Sequence, residues 1–208
     1  MKRTPVPQQP HTVTPVAVIG AVKGAVKKAA PATAPASEPA TESANAQDQQ
    51  RQPTVIVADE SSINAITALE MRSFSPTDRF ARSTWRHLLG TARRRGSAVT
   101  LVALDGTLVI GALNTLLRRD GHTARLYSLA VDPQQRGRGI GGLLIRQLAE
   151  HLAPTITVLS LEVRSDNLAA RALYERLGFA LHENLPNYYL DGGDGVRLRV
   201  MRQRMSTT

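Results

Sequence analysis

Arg136-Gly137-Arg138-Gly139-Ile140-Gly141 decides the reading of this chain. An apolar run, Leu126-Tyr127-Ser128-Leu129-Ala130-Val131, precedes it, with the turn signal Asp132-Pro133 between them. A helical pattern follows through Leu143, Leu144, Gln147 and Leu148. Strand, glycine-rich turn and helix start form an arrangement that presents bare backbone N–H groups to a phosphate. Glycine lets such a backbone approach its ligand and adopt positive φ without steric cost. Two arginines add charge. The run therefore reads as a pyrophosphate grip made of Arg136, Gly137, Arg138, Gly139, Ile140 and Gly141. Alone, it is also compatible with an ordinary glycine-rich turn carrying solvated arginines. A nicotinamide fingerprint fits poorly, because the run comes late in the chain with unsuitable strand spacing. A Walker loop requires a lysine that is absent here.

The context comes from two later segments. Leu161-Glu162-Val163-Arg164-Ser165-Asp166-Asn167 leads into Ala169-Ala170-Arg171-Ala172-Leu173-Tyr174-Glu175-Arg176-Leu177-Gly178-Phe179. With both segments in view, the chain resembles the GNAT superfamily of N-acetyltransferases. In that family an R/Q-x-x-G-x-G/A turn binds the pyrophosphate of acetyl-coenzyme A. Arg136, Gly139 and Gly141 occupy its defining positions. Asn167, Ala170, Leu173, Tyr174, Gly178 and Phe179 match the family's second hallmark. The wording LEVR-x-x-N and LYE-x-LGF is similar to the ribosomal-protein alanine N-acetylating subgroup. So is Asn187-Tyr188-Tyr189 followed by Asp194-Gly195. The resemblance covers residues 54–205. It implies an α/β GNAT fold, a mixed and mostly antiparallel central sheet flanked by helices, with acetyl-coenzyme A as cosubstrate.

Composition sets further bounds. The 208 residues contain no cysteine, so neither a disulfide framework nor a cysteine zinc site is available. Nothing points to an oxidising compartment, and a cytoplasmic location is expected. Five histidines are scattered without metal-ligand spacing, so no metal is expected. No apolar run approaches the roughly 18 residues of a membrane span. The net charge is +9. All four lysines (Lys2, Lys23, Lys27, Lys28) precede residue 54, and every basic residue after it is arginine. Arginine suits anionic ligands through its planar fork, though genome composition explains an arginine-only domain equally well.

Residues 1–53 are rich in Pro, Ala, Thr and Gln and lack aromatics. Such a segment cannot bury enough apolar surface to offset its ordering entropy, so a disordered basic tail is expected. Val16, Ile19, Val22 and Val26, with Lys23, Lys27 and Lys28, have the spacing of a weak basic amphipathic helix. A folded acetyltransferase domain is expected over 54–208. Its strands and helices follow the order β-α-α-β-β-β-α-β-α-β-β. Asp105-Gly106 is a hairpin signal between two of its strands.

Acetyl transfer needs a neutral amine, a polarised thioester carbonyl and a hydrogen bond to the departing thiolate. In Leu159-Ser160-Leu161-Glu162-Val163, alternate residues share a face, which separates Glu162 from the leucines. Glu162 is either a structural partner of Arg164 or Arg125, or the base, which is the role the resemblance implies. Tyr174 lies two helical turns after Asn167 and shares its face. The spacing suits a core tyrosine, whereas the resemblance implies the general acid. Asn167 is a pantetheine contact or a helix N-cap. Leu129 and Val131 are expected to offer backbone groups to the pantetheine. Tyr188 and Tyr189, with Asp191 and Asp194, border either an acceptor cleft or a flexible hairpin.

Three functions remain open from the residues. The first is an N-acetyltransferase acting on a peptide or protein α-amine. The second keeps the fold and takes a small amine or lysine side chain. The third is an arginine-rich nucleic-acid or ribosome-binding protein, motivated by Arg93-Arg94-Arg95 and Arg118-Arg119 and by the basic tail.

Overall fold

The computed structural model describes residues 52–207. The tail expected over 1–53 lies outside the described residues apart from its last two positions. Seven strands form a single sheet in the order β1-β2-β3-β4-β5-β7-β6. They are β1 (Thr54–Val57), β2 (Ala98–Asp105), β3 (Leu108–Leu117), β4 (Thr123–Val131), β5 (Val158–Arg164), β6 (Ala180–Leu185) and β7 (Gly195–Met201). Only the β4–β5 pairing is parallel; the other five are antiparallel. The four helices are α1 (Ile63–Ser73), α2 (Arg82–Arg86), α3 (Ile140–His151) and α4 (Leu168–Arg176).

Helices cover both faces, as a mixed sheet with two apolar faces requires. On one face Ile66 and Leu69 of α1 and Trp85 of α2 pack with Val102, Val109 and Ala112. On the other, Leu144, Ile145 and Leu148 of α3 pack with Leu101, Leu113, Leu126, Leu159 and Leu161. The short α2 runs on directly into a π-helical segment, His87–Ala92. Gly90 sits in that segment, where an added Cβ would lie 2.8 Å from a Glu60 carboxylate oxygen.

Two local devices place the site. In β4 the register slips opposite Asn114 and Thr115. Leu126 and Leu129, three apart, therefore lie in the same core, as an inserted bulge residue allows. The end of α4 is a Schellman motif. Phe179 N–H donates to Tyr174 C=O at 3.0 Å and Gly178 N–H to Glu175 C=O at 2.9 Å. Gly178 has φ of 84°, which a residue with a side chain adopts only with strain. The Phe179 ring meets Tyr174 edge-on at 5.6 Å. The Leu-Tyr-x-x-x-Gly-Phe wording is thus a helix stop that fixes the tyrosine.

Candidate active site

β4 and β5 pair at only three positions, Thr123↔Val158, Ala124↔Leu159 and Arg125↔Ser160. Beyond them β4 pairs with β3 alone and β5 with β7 alone. The strands therefore part company, and a sheet interior acquires an edge. Asp132 N–H donates to Ile110 C=O at 2.9 Å. Antiparallel ladders alternate, so the backbone groups of Ala130 face β3 while those of Leu129 and Val131 turn toward the gap. An extended ligand laid in the gap can complete the sheet.

The far end of β4 is pinned to α1. Arg72 Nε donates to Asp132 at 2.8 Å, and Ser73 Oγ to Val131 C=O at 3.3 Å. Arg136 reaches back to Ser73 C=O at 3.4 Å. These contacts hold the glycine turn at the mouth of the gap. Gly137 and Gly139 have φ of 82° and 76°. Gly139 caps α3 and supplies no side chain to the first-turn N–H groups of Ile140, Gly141 and Gly142. A twelve-residue helix with an uncapped N-terminus, a glycine approach and Arg136 beside it fits a diphosphate.

A cleft of about 340 Å³ joins these parts. Leu129, Val131, Arg136, Gly137, Gly139, Ile140 and Asn167 line it, together with Ala169, Leu173 and Arg176 of α4. Two residues of the expected grip do not line it. Arg138 bonds Gln135 and faces Asp105 at 3.8 Å. Gly141 permits helix packing, since an added Cβ would lie 3.2 Å from Leu173. Asn167 both lines the cleft and caps α4, its side chain accepting from Ala170 N–H at 3.1 Å.

Glu162 and Tyr174 occupy opposite sides of the sheet. Glu162 is 2% exposed. One oxygen accepts from Arg125 Nε at 2.6 Å and the other from Arg197 Nε at 2.9 Å. Each oxygen keeps a second lone pair. Arg164, the other partner expected for Glu162, pairs with Asp191 at 2.7 Å instead. Tyr174 is buried in the α3–α4 core, next to Leu173 at the cleft wall. Burial, with a smaller contribution from Tyr189, raises its phenol well above the ordinary value, so the proton is held at neutral pH.

Tyr188 is half-buried on the Glu162 side, its hydroxyl accepting from Arg125 at 3.3 Å. Burial first, then the charge on Glu162, raises its phenol. Tyr189 is buried, with the Arg164 guanidinium 4.6 Å above its ring and a hydroxyl that has no hydrogen-bond partner among the described residues. Asp191 binds Arg164 and accepts from Gly193 N–H, while Asp194 accepts from Asn187 N–H. Both carboxylates thus brace their own loop.

Several neighbours were not singled out by the sequence. Phe80 stacks on Tyr127 at 5.2 Å and Arg125 lies 5.8 Å over the same ring, which builds an aromatic wall near Glu162. Arg197 alternates with Val196 and Leu198, a pattern that marks the same face as Glu162 once the β5–β7 register is known. Glu70 falls on the apolar stripe of α1 with Ile63 and Ile66, which was its available signal. The two arginine clusters come together, because Leu117 N–H donates to Ser97 C=O and brings the 93–96 and 118–121 turns side by side. Glu60 pairs with Arg94 there. Among the described residues, no group of three or more His, Asp or Glu side chains could hold a metal, and no helix is long and apolar enough to cross a membrane.

Residues 63–179, more than half the chain, match the acetyltransferase (GNAT) family. The chain belongs to the GNAT acetyltransferase family. It is 36% identical over 95 residues to an uncharacterised N-acetyltransferase of Methanocaldococcus jannaschii, covering 45% of this chain and 59% of that protein. It is 45% identical over 67 residues to the ribosomal protein bS18-alanine N-acetyltransferase of Salmonella typhimurium, covering 32% of this chain and 45% of that enzyme. The match thus spans about half the length of these curated relatives. The crystal structure of the Escherichia coli ribosomal-protein-S18-alanine N-acetyltransferase superposes with a TM-score of 0.62 at 26% identity, covering 72% of this chain and 94% of that one.

Proposed function

We propose that this GNAT protein transfers acetyl from acetyl-coenzyme A to a protein N-terminal α-amine by direct attack in a ternary complex. The observation that carries the reading is the parting of β4 and β5 after Arg125 and Ser160. It opens a passage between the two faces of the sheet. The glycine turn and α4 stand on one side of that passage, and Glu162 with the aromatic wall on the other.

Acetyl-coenzyme A, when bound, supplies the activated thioester. The chain's residues do the rest. Ile140, Gly141 and Gly142 N–H groups, with Arg136, hold the diphosphate. Leu129 and Val131 backbone groups hold the pantetheine, and an N–H at this strand end polarises the carbonyl. Glu162 accepts the proton of the attacking amine, directly or through water. As the new C–N bond forms and the C–S bond breaks, Tyr174 O–H hydrogen-bonds the departing sulfur and supplies its proton. Tyr188 and Tyr189 flank the acceptor. Relatives named for acetylating an alanine of ribosomal protein S18 support an α-amine over a lysine side chain.

The test is acetylation of an Ala-initiated peptide beside a panel of polyamines and lysine peptides, read by mass spectrometry. Transfer to the α-amine alone is expected. Transfer to small amines alone would reassign the acceptor while leaving the donor site in place.

A further inference from the structure

We propose that Arg176 forms a subsite for the ribose 3′-phosphate of the donor, so that the protein distinguishes acetyl-coenzyme A from its dephospho form. The inference rests on the donor-site reading above and adds the part of the ligand that the glycine turn does not reach.

Ala169, Leu173 and Arg176 are spaced four and three residues apart on α4 and all line the donor cleft. Arg176 stands in the last turn of that helix and is exposed. It makes neither an ion pair nor a hydrogen bond to a described residue, whereas the other arginines around the cleft are engaged. Arg171 bonds Ser165 C=O and faces Glu175 at 4.0 Å. Arg138 faces Asp105, and Arg136 bonds Ser73 C=O. Arg176 is the cleft-lining guanidinium left with its fork open.

The chemistry of the ligand says what would meet it. In coenzyme A the diphosphate joins pantetheine to a ribose that carries a further phosphate dianion. The strand edge at Leu129 and Val131 takes the pantetheine end, and the glycine turn takes the diphosphate. The ribose then emerges at the mouth of the cleft, where α4 ends. A helix C-terminus by itself repels an anion. Here the carbonyls of Tyr174 and Glu175 are already engaged by Phe179 and Gly178 N–H groups. A guanidinium in that position can bind a phosphate bidentately.

An alternative purpose for Arg176 is simple stabilisation of the α4 C-terminus. Dissociation constants of acetyl-coenzyme A and acetyl-dephospho-coenzyme A separate the two. They are measured calorimetrically on the full chain at low and high salt. The wild type is expected to prefer the phosphorylated donor by about five- to tenfold at low salt. The preference should shrink as salt screens this exposed pair. Arg176→Gln should lower the ratio to near one by weakening only the phosphorylated donor. Arg176→Lys should fall between, because it keeps the charge and loses the fork. Arg119→Gln, in the β3–β4 turn, removes the same net charge and should leave the ratio intact. A wild-type ratio near one, or a ratio unchanged by Arg176→Gln, would overturn the proposal. Failure of a folded protein to bind either donor would instead bring down the donor-site reading, and this inference with it.

Discussion

Glu70 offers a sharp test of how α1 is joined to Phe80 and Trp85. Its carboxylate is 2% exposed at the last turn of α1. One oxygen accepts from Trp85 Nε1 at 2.8 Å and Phe80 N–H at 3.1 Å. The other has no hydrogen-bond partner among the described residues. Burial pushes its pKa up to about 6, from an ordinary 4.5, because two N–H donors and nearby Arg79 only partly replace lost water. Between those values the folded state binds more protons than the unfolded chain. The stability contribution is therefore greatest in acid and declines as pH rises through about 6. The whole swing is about 2 kcal/mol, and about 1.2 kcal/mol of it falls between roughly pH 5 and 7.5. Glu70→Gln keeps a carbonyl acceptor and abolishes the titration. Urea unfolding followed by fluorescence of Trp85, the only tryptophan, measures both proteins at both pH values. The variant's stability relative to wild type should rise by about 1.2 kcal/mol on going from roughly pH 5 to 7.5. Parallel pH profiles for the two proteins would refute the reasoning, showing that water reaches this carboxylate. A changed denaturant slope would indicate a different end state and is checked in the same data.

Other perturbations follow from the same geometry. Glu162→Gln should slow transfer mainly at neutral pH, with partial recovery in alkali as the amine loses its proton unaided; an unchanged pH–rate profile would remove its proton-accepting role. The same substitution leaves Arg125 without its counter-charge and Arg197 with Glu183 alone, so chemical denaturation should show a loss of about 2–4 kcal/mol. Tyr174→Phe should lower turnover while calorimetry finds donor binding intact. Gly139→Glu, at φ of 76°, should abolish donor binding by placing a side chain and a negative charge at the diphosphate grip. Gly178→Ala should lower the melting temperature, reflecting about 1–2 kcal/mol of left-handed strain.

Some of this molecule is legible residue by residue. The glycine turn, the Asn167 cap and the Gly178-Phe179 stop are local signals, because each depends on backbone conformations that few residues tolerate. They mark the start of α3 and both ends of α4 in the linear sequence. Alternation in β5 likewise separates Glu162 from the core leucines. The partners of these residues are less accessible. Nothing in a linear reading chooses between Arg125, Arg164 and Arg197 for Glu162, since strand pairing across 35 or more residues sets that choice. Spacing likewise does not announce that the Arg138 side chain turns to Asp105 or that Gly141 lets α3 pack against Leu173.

The sequence by itself determined the family, the glycine turn that opens α3 and the helix stop that fixes Tyr174. Short-range conformational constraint writes those features into single residues. Only the tertiary structure decided that β4 and β5 separate after three pairs, that Glu162 sits between two arginines, and that Phe80 stacks on Tyr127. Each of these depends on which distant segments become neighbours. That is settled by burying two apolar sheet faces under four helices rather than by any local preference.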